Sequence, residues 1–175
     1  MFGNRFLLQW RVTMKKCRFL GVLLIFLSIC FLSPQHSHAD EKNGLSDGQT
    51  IYVPAYSHIY SGDREMPFLL TVTLSIRNID PTHPINITHV NYYDTKGKVI
   101  KSFLDKPVIL SPLESIRYVI PENDKAGGSG ANFLVEWKSD KLVNPPIVES
   151  IMIGTQSQQG ISFTSRGQEI MTSTK

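Results

Sequence analysis

Among the side chains able to do chemistry, the densest group lies in Gly160-Ile161-Ser162-Phe163-Thr164-Ser165-Arg166-Gly167. Arg166 carries a fixed fork of N–H donors that matches a carboxylate or a phosphate, and Ser162, Thr164 and Ser165 offer hydroxyls beside it. Tyr56 and His58 are the aromatic polar residues that would complete such a ligand site. The blander expectation for Arg166 is an ion pair with an acid elsewhere in the domain. A second segment, Gly127-Gly128-Ser129-Gly130, has the composition of an anion-binding nest of backbone amides. No helix start follows it, so a flexible connection between strands is the preferred reading.

Catalytic spacing is not visible. Hydrolysis by a serine nucleophile needs a base and an orienting acid, and there is no Gly-x-Ser-x-Gly elbow. Glu114, Glu136 and Glu149 are candidates for a carboxylate pair only because they are acids. Glu136, between Leu134 and Trp137, is expected to face solvent or pair across strands. His58, His83 and His89 show no H-x-x-x-H spacing. With Met66 or Met152 they could form a soft copper site, but nothing in the spacing requires one. Cys17 and Cys30 both lie near the start of the chain. No catalytic residue, metal ligand or cofactor is therefore assigned, and Asn86-Ile87-Thr88 is read as a chance glycosylation sequon.

The first 39 residues are of a different kind from the rest. Met14-Lys15-Lys16-Cys17-Arg18 is basic, Phe19 to Leu32 is almost wholly apolar, and a polar stretch ends in Ser37-His38-Ala39. This is the pattern of a secretory signal peptide cut after Ala39, with translation starting at Met1 or at Met14. The alternatives are an uncleaved anchor, for which the apolar run is short, and lipidation at Cys30, where Ile29 replaces the small residue expected before it. Five of the 18 basic residues and none of the 15 acids precede the cut, so the remainder carries 13 − 15 = −2. The basic balance of the whole chain thus belongs to the leader and gives no support to nucleic-acid binding. The exported form would lack cysteine and would be held together by packing alone.

Positioning these residues falls to strands. In Phe68 to Asn78 the residues Phe68, Leu70, Val72, Leu74 and Ile76 alternate with Leu69, Thr71, Thr73, Ser75 and Arg77. Alternate side chains of a strand point to opposite faces, so this stretch predicts one strand with an oily face that must be covered. Asp40 to Thr50 reads as a flexible lead-in. Ile51 to Tyr60 is rich in β-formers, with Pro54 demanding an edge or a break. Ile85 to Tyr93 changes phase midway, which predicts a bulge near Thr88-His89. Lys98 to Leu104, Lys106 to Leu110, Ser115 to Ile120, Asn132 to Trp137 and Ile147 to Ile153 follow as further strands. Ile161 and Phe163 anchor at most a short strand, and the chain frays from Gln168. Seven or eight strands at roughly 8–12-residue spacing, with no sustained helical period, predict an all-β antiparallel sandwich of the immunoglobulin-like kind over residues 51–168. A small closed β-barrel is the alternative.

Val53-Pro54-Ala55-Tyr56-Ser57-His58-Ile59-Tyr60, Leu74-Ser75-Ile76-Arg77-Asn78, Tyr92-Tyr93-Asp94 and Gly160 to Gly167 together resemble a family of exported bacterial proteins catalogued as domain of unknown function 3124. The resemblance spans about Ile51 to Gln168. It implies bacterial origin and export, and brings no activity, cofactor or catalytic residue with it. The resulting expectation is a non-enzymatic periplasmic module that binds a protein or envelope partner through loops and edge strands. A small anionic-ligand binder or enzyme built on the Arg166 segment, and a periplasmic metal carrier, are the competing readings. No nucleic acid and no stable membrane insertion after signal removal are expected.

Overall fold

The computed structural model describes residues 44–171 except 62, 64, 157 and 158. Ala39, Cys30 and the rest of the leader lie outside the described residues, as does the end of the tail. All regular structure among the described residues is extended apart from a single 3-10 position at Asp63, and it forms two antiparallel sheets and a separate hairpin.

The first sheet is built around β9 (Asn132–Val143). On one side of β9 lies β1 (Ser46–Pro54), itself flanked by the two-residue β12 (Gln168–Glu169). On the other side lies β5 (Ile85–Tyr93), which carries both β6 (Val99–Ser102) and β7 (Val108–Leu110). The second sheet runs in the order β11 (Gln159–Arg166), β10 (Ile147–Gln156), β4 (Thr71–Arg77), β8 (Ser115–Ile120). Neither sheet closes on itself, so the architecture is a sandwich and the barrel alternative falls away.

Alternation decides which face each strand buries. Val72, Leu74 and Ile76 of β4, Val148 and Met152 of β10, and Ile120 of β8 point inward from the second sheet. Ile51 and Val53, Ile87, Val90 and Tyr92, and Phe133, Val135 and Trp137 point inward from the first. They form one core, in which Trp137, Tyr92 and Phe133 are the largest fully buried side chains. Packing two one-faced sheets in this way removes both oily surfaces from water at once.

Several expectations are corrected. The stretch Phe68 to Asn78 is not one strand: β3 (Met66–Leu69) and β4 are separated at Leu70, whose N–H donates to Ser57 O at 3.0 Å. β3 pairs instead with β2 (His58–Ser61) as a hairpin. The segment read as a lead-in already contains the start of β1 at Ser46. The supposed short strand around Ile161 and Phe163 is an eight-residue partner of β10, and Gln168 and Glu169 pair with β1 rather than fraying. The bulge in β5 is present, with the register against β9 shifting between Ile87 and His89. Pro54 sits at the last pair of β1, where β12 no longer runs alongside, so its missing donor leaves no ladder bond unmade.

Candidate functional site

The six residues expected to form a ligand site do not converge: four lie on β11, divided between its two faces, and Tyr56 and His58 lie outside it. In β11, Ser162, Thr164 and Arg166 are exposed, whereas Ile161, Phe163 and Ser165 turn inward and are half-buried. Ser165 is occupied as structure: its carbonyl oxygen lies 3.5 Å from the Ser150 hydroxyl, which also donates to Pro54 O. Tyr56 packs edge-on against Phe163, ring centroids 5.8 Å apart, on the inward side. His58 stacks edge-on against Tyr60 in the β2–β3 hairpin at 5.4 Å. Period-two geometry therefore keeps Tyr56 away from the Arg166 guanidinium, because the two lie on opposite faces of β11.

What Arg166 does join is a row across the outer face of the second sheet. It stands opposite Glu149 of β10, which stands opposite Ser75 of β4, which stands opposite Arg117 of β8. One step along, Arg77 lies between Ile147 and Ser115. Arg77 Nε donates to Ser75 Oγ at 3.2 Å and sits 3.9 Å from Glu149 Oε1. Arg166 and Arg117 make no ion pair with any acid among the described residues, contrary to the expectation of an internal pair for Arg166. Three guanidiniums thus face one carboxylate. The next acid in sequence, Glu114, is committed to its own turn, where Oε2 accepts the Ser111 N–H at 2.7 Å.

Thr73, Ser75, Ser115, Arg77 and Arg117 line a hollow of about 280 Å³ on this face, with Ile151 at its side. Beyond it the surface is apolar in patches: Ile153 is 47% exposed and Val119 42% exposed. Chemically the face offers fork-shaped cationic donors, hydroxyls and aliphatic contact, and among the described residues none of its hydroxyls donates to a carboxylate or a histidine.

The remaining candidates lie away from this face. The Gly127–Gly130 loop is pinned rather than flexible: Thr95 N–H and Oγ1 both donate to Gly127 O at 3.0 Å, and the Ser57 N–H and hydroxyl both donate to Gly128 O at 3.1 Å. The Gly130 amide donates to Thr95 Oγ1 at 3.1 Å and the Gly128 amide to Lys125 O, so these amides are not free to cradle an anion. A side chain at Gly127 would collide with the Tyr92 phenol, which explains glycine there. Burial, helped by the negative charge of Asp124, pushes the Tyr92 phenol up to about 12.

His83 lies within 2.7 Å of Thr82 Oγ1, and His89 pairs with Glu136 at 3.0 Å on the outer face of the first sheet. Met152 is buried in the core and Met66 is exposed on the hairpin. Among the described residues no three of His, Cys, Asp and Glu stand together as a metal site. A second hollow of about 700 Å³ is lined by four acids, Asp47, Glu136, Asp140 and Glu169, and one base, Lys138, so its charge is predominantly negative.

Sequence reasoning missed the buried polar knot at Asp80, which is 4% exposed. Its Oδ1 accepts from Thr82 N, Thr82 Oγ1 and His83 N, each at 2.9 Å, and its Oδ2 from Asn144 N and Nδ2 at 3.1 Å. Asn78 Oδ1 accepts the Asp80 N–H, while Asn78 Nδ2 donates to the carbonyls of His83, Leu110 and Ser111. The signal was present in Asn78-Ile79-Asp80-Pro81-Thr82, since Asx residues before proline and threonine cap turns.

The chain belongs to the family described as "Protein of unknown function (DUF3124)", which it matches over residues 48–170. Among solved structures it is similar to the crystal structure of Thermotoga maritima 1070, at 11% identity and a TM-score of 0.44, covering 71% of this chain and 96% of that one. No curated protein matches it.

Proposed function

We propose that the protein is a non-enzymatic exported binding module that docks an acidic protein segment on the outer face of its four-stranded sheet. One observation carries this reading. From residue 40 onward the chain has four arginines, and three of them, Arg77, Arg117 and Arg166, share that face. Arg64 is outside the described residues. No lysine occurs in β4, β8, β10 or β11, although the exported part carries nine. Random placement of positive charge for solubility would not sort arginine from lysine. Recognition of carboxylates does, because the guanidinium forms paired bonds that an ammonium cannot.

The choice of a protein partner rests on the aliphatic residues between the arginines. Ile147, Ile151, Ile153 and Val119 give a face that matches a polypeptide with mixed acidic and apolar side chains better than it matches a phosphate polymer. Export rests on the leader pattern ending at Ala39, with the periplasm as the compartment.

Photo-crosslinking amino acids placed at Thr164 and Ile151, and at Asn91 on the other sheet as control, test the reading in cells. The expected result is one acidic adduct from the first two positions, absent at Asn91 and lost when Arg77, Arg117 and Arg166 are all changed to Gln. Equal adducts from both sheets, or adducts indifferent to the arginines, would refute it. Mass spectrometry of the processed chain is expected to show Asp40 as its first residue; an intact leader would remove the export part.

A further inference from the structure

The arginines of the outer face are not equivalent, and the difference locates an anchor. Arg166 lies on the edge strand, in the open. Arg77 and Arg117 lie on adjacent strands, diagonal to each other, because Arg77 is opposite Ser115 and Arg117 is opposite Ser75. The two arginines and the two serines therefore occupy the four corners of one cross-strand block, and this block lines the 280 Å³ hollow together with Thr73. Diagonal neighbours on one face stand roughly 7–8 Å apart, a separation that long side chains can bridge around a single small group.

The donors there are incompletely used. Arg77 spends its Nε on Ser75 Oγ, and its remaining guanidinium nitrogens have no protein acceptor within hydrogen-bond distance among the described residues. The Arg117 guanidinium has none among the described residues either. Glu149 approaches to 3.9 Å from Arg77 Nε, too far for a hydrogen bond but close enough to neutralise part of its charge. Its side chain is 19% exposed, against 54% for Arg77, so it sits lower in the face than the group it balances.

We propose that the hollow between Arg77 and Arg117 is a carboxylate site that takes one Asp or Glu side chain of the docked segment, with Glu149 acting as a resident competitor. The incoming carboxylate receives donors from both guanidiniums and from the Ser115 hydroxyl. Ile151 seats the methylenes of the same side chain. Glu149 holds Arg77 in place before the partner arrives and lowers the affinity for any free anion. The inference rests on the docking reading above and adds to it the position and chemistry of the anchor.

The test uses the purified protein and oligoglutamate as probe, with oligoglutamine, succinate and inorganic phosphate as comparisons, followed by calorimetry and by the Nε–Hε resonances of the arginines. Oligoglutamate is expected to bind, to weaken with salt, and to shift the Arg77 and Arg117 resonances. Arg77→Gln and Arg117→Gln are each expected to weaken it by ~10-fold or more, the loss of one charge-assisted pair of bonds. Arg117→Lys is expected to weaken it as well, because it keeps the charge and loses the fork. Glu149→Gln is expected to tighten binding severalfold, an effect no merely structural role would produce. None of the three residues belongs to the buried core, and a dispersed amide spectrum confirms that each of the four variants is folded.

Oligoglutamate binding that ignores Arg77, Arg117 and Glu149 would overturn the anchor while leaving the docking face intact. Binding of succinate or phosphate without oligoglutamate would overturn both the anchor and the docking reading, as would no binding by any probe.

Discussion

Asp80 shows how much one carboxylate can organise. The Thr82 N–H is the strongest influence on it, followed by Asn144 N–H, then His83 N–H and the Thr82 hydroxyl, and together they overcome the opposing effect of burial. The carboxyl is held well below the usual carboxylate range, so the folded state favours the ionised form more than the unfolded chain does. The sign follows: the stability it contributes is complete above the ordinary value of 3.8 and is lost as pH falls from there toward the folded value. Asp80→Asn is expected to melt below the wild type at pH 7, with the gap narrowing as pH drops through 4 toward 3. A gap that stays constant in thermal melts over that range would show that the charge is irrelevant. The same knot joins the loop before β5 to β7 and to the β9–β10 turn, through Leu110, Ser111 and Asn144. The knot fixes these loops relative to one another.

At the scale of elements, alternation in the sequence foretold most faces correctly and some strand ends badly. Val72, Leu74 and Ile76, and Phe133, Val135 and Trp137, are inward because one residue in two must be. The bulge at Thr88-His89 was legible for the same reason. The break at Leu70 was not, because Phe68 and Leu70 keep the parity of β4 while the backbone N–H of Leu70 turns away to Ser57. β11 was underestimated since an edge strand with Ile161 and Phe163 as its only apolar residues looks like loop. Parity alone would have separated Ser165 from Ser162, Thr164 and Arg166. The meeting of Arg77, Arg117 and Arg166 was beyond reach, because it depends on registers linking strands far apart in sequence. The hairpin β2–β3 depends on Gly154 of β10, where an added Cβ would stand 2.4 Å from Phe68 and 2.6 Å from Leu69 O. Gly154→Val is expected to cost ~1–3 kcal/mol in urea unfolding through that overpacking. It should leave the outer-face arginines untouched, so wild-type stability would contradict the packing described here.

For the whole molecule, a continuous aromatic cluster in the core, joined through Phe133 and Phe103 at 6.2 Å, sets a limit on the alkaline side. Tyr92 lies against Phe133 at 4.8 Å and Phe103 against Tyr118 at 4.9 Å, and both phenols are buried without a partner among the described residues. Burial raises both above the ordinary value of 10.0, Tyr92 to about 12. Here the neutral form is the one favoured by folding, so this stability is complete below pH 10 and is lost as pH climbs toward 12. Absorbance at 295 nm is expected to show Tyr92 and Tyr118 ionising late, above 10.0, in a step that coincides with loss of near-ultraviolet dichroism. Tyr92→Phe should remove one of the late ionisations. A single transition near 10 for all tyrosines, with the fold intact, would contradict the burial.

The run from β10 through β11 to β12 gives the molecule a seam. β11 lies along the second sheet, Gly167 N–H donates to Val148 O, and the next two residues lie along β1 of the first. A single short ribbon therefore stitches both layers shut, and β1, the earliest strand, receives its outermost neighbour from nearly the last residues described. During synthesis the open side of the first layer stays uncovered until those residues emerge. Closure of this zip is therefore the last step in assembling the two layers, the order of events such wiring favours.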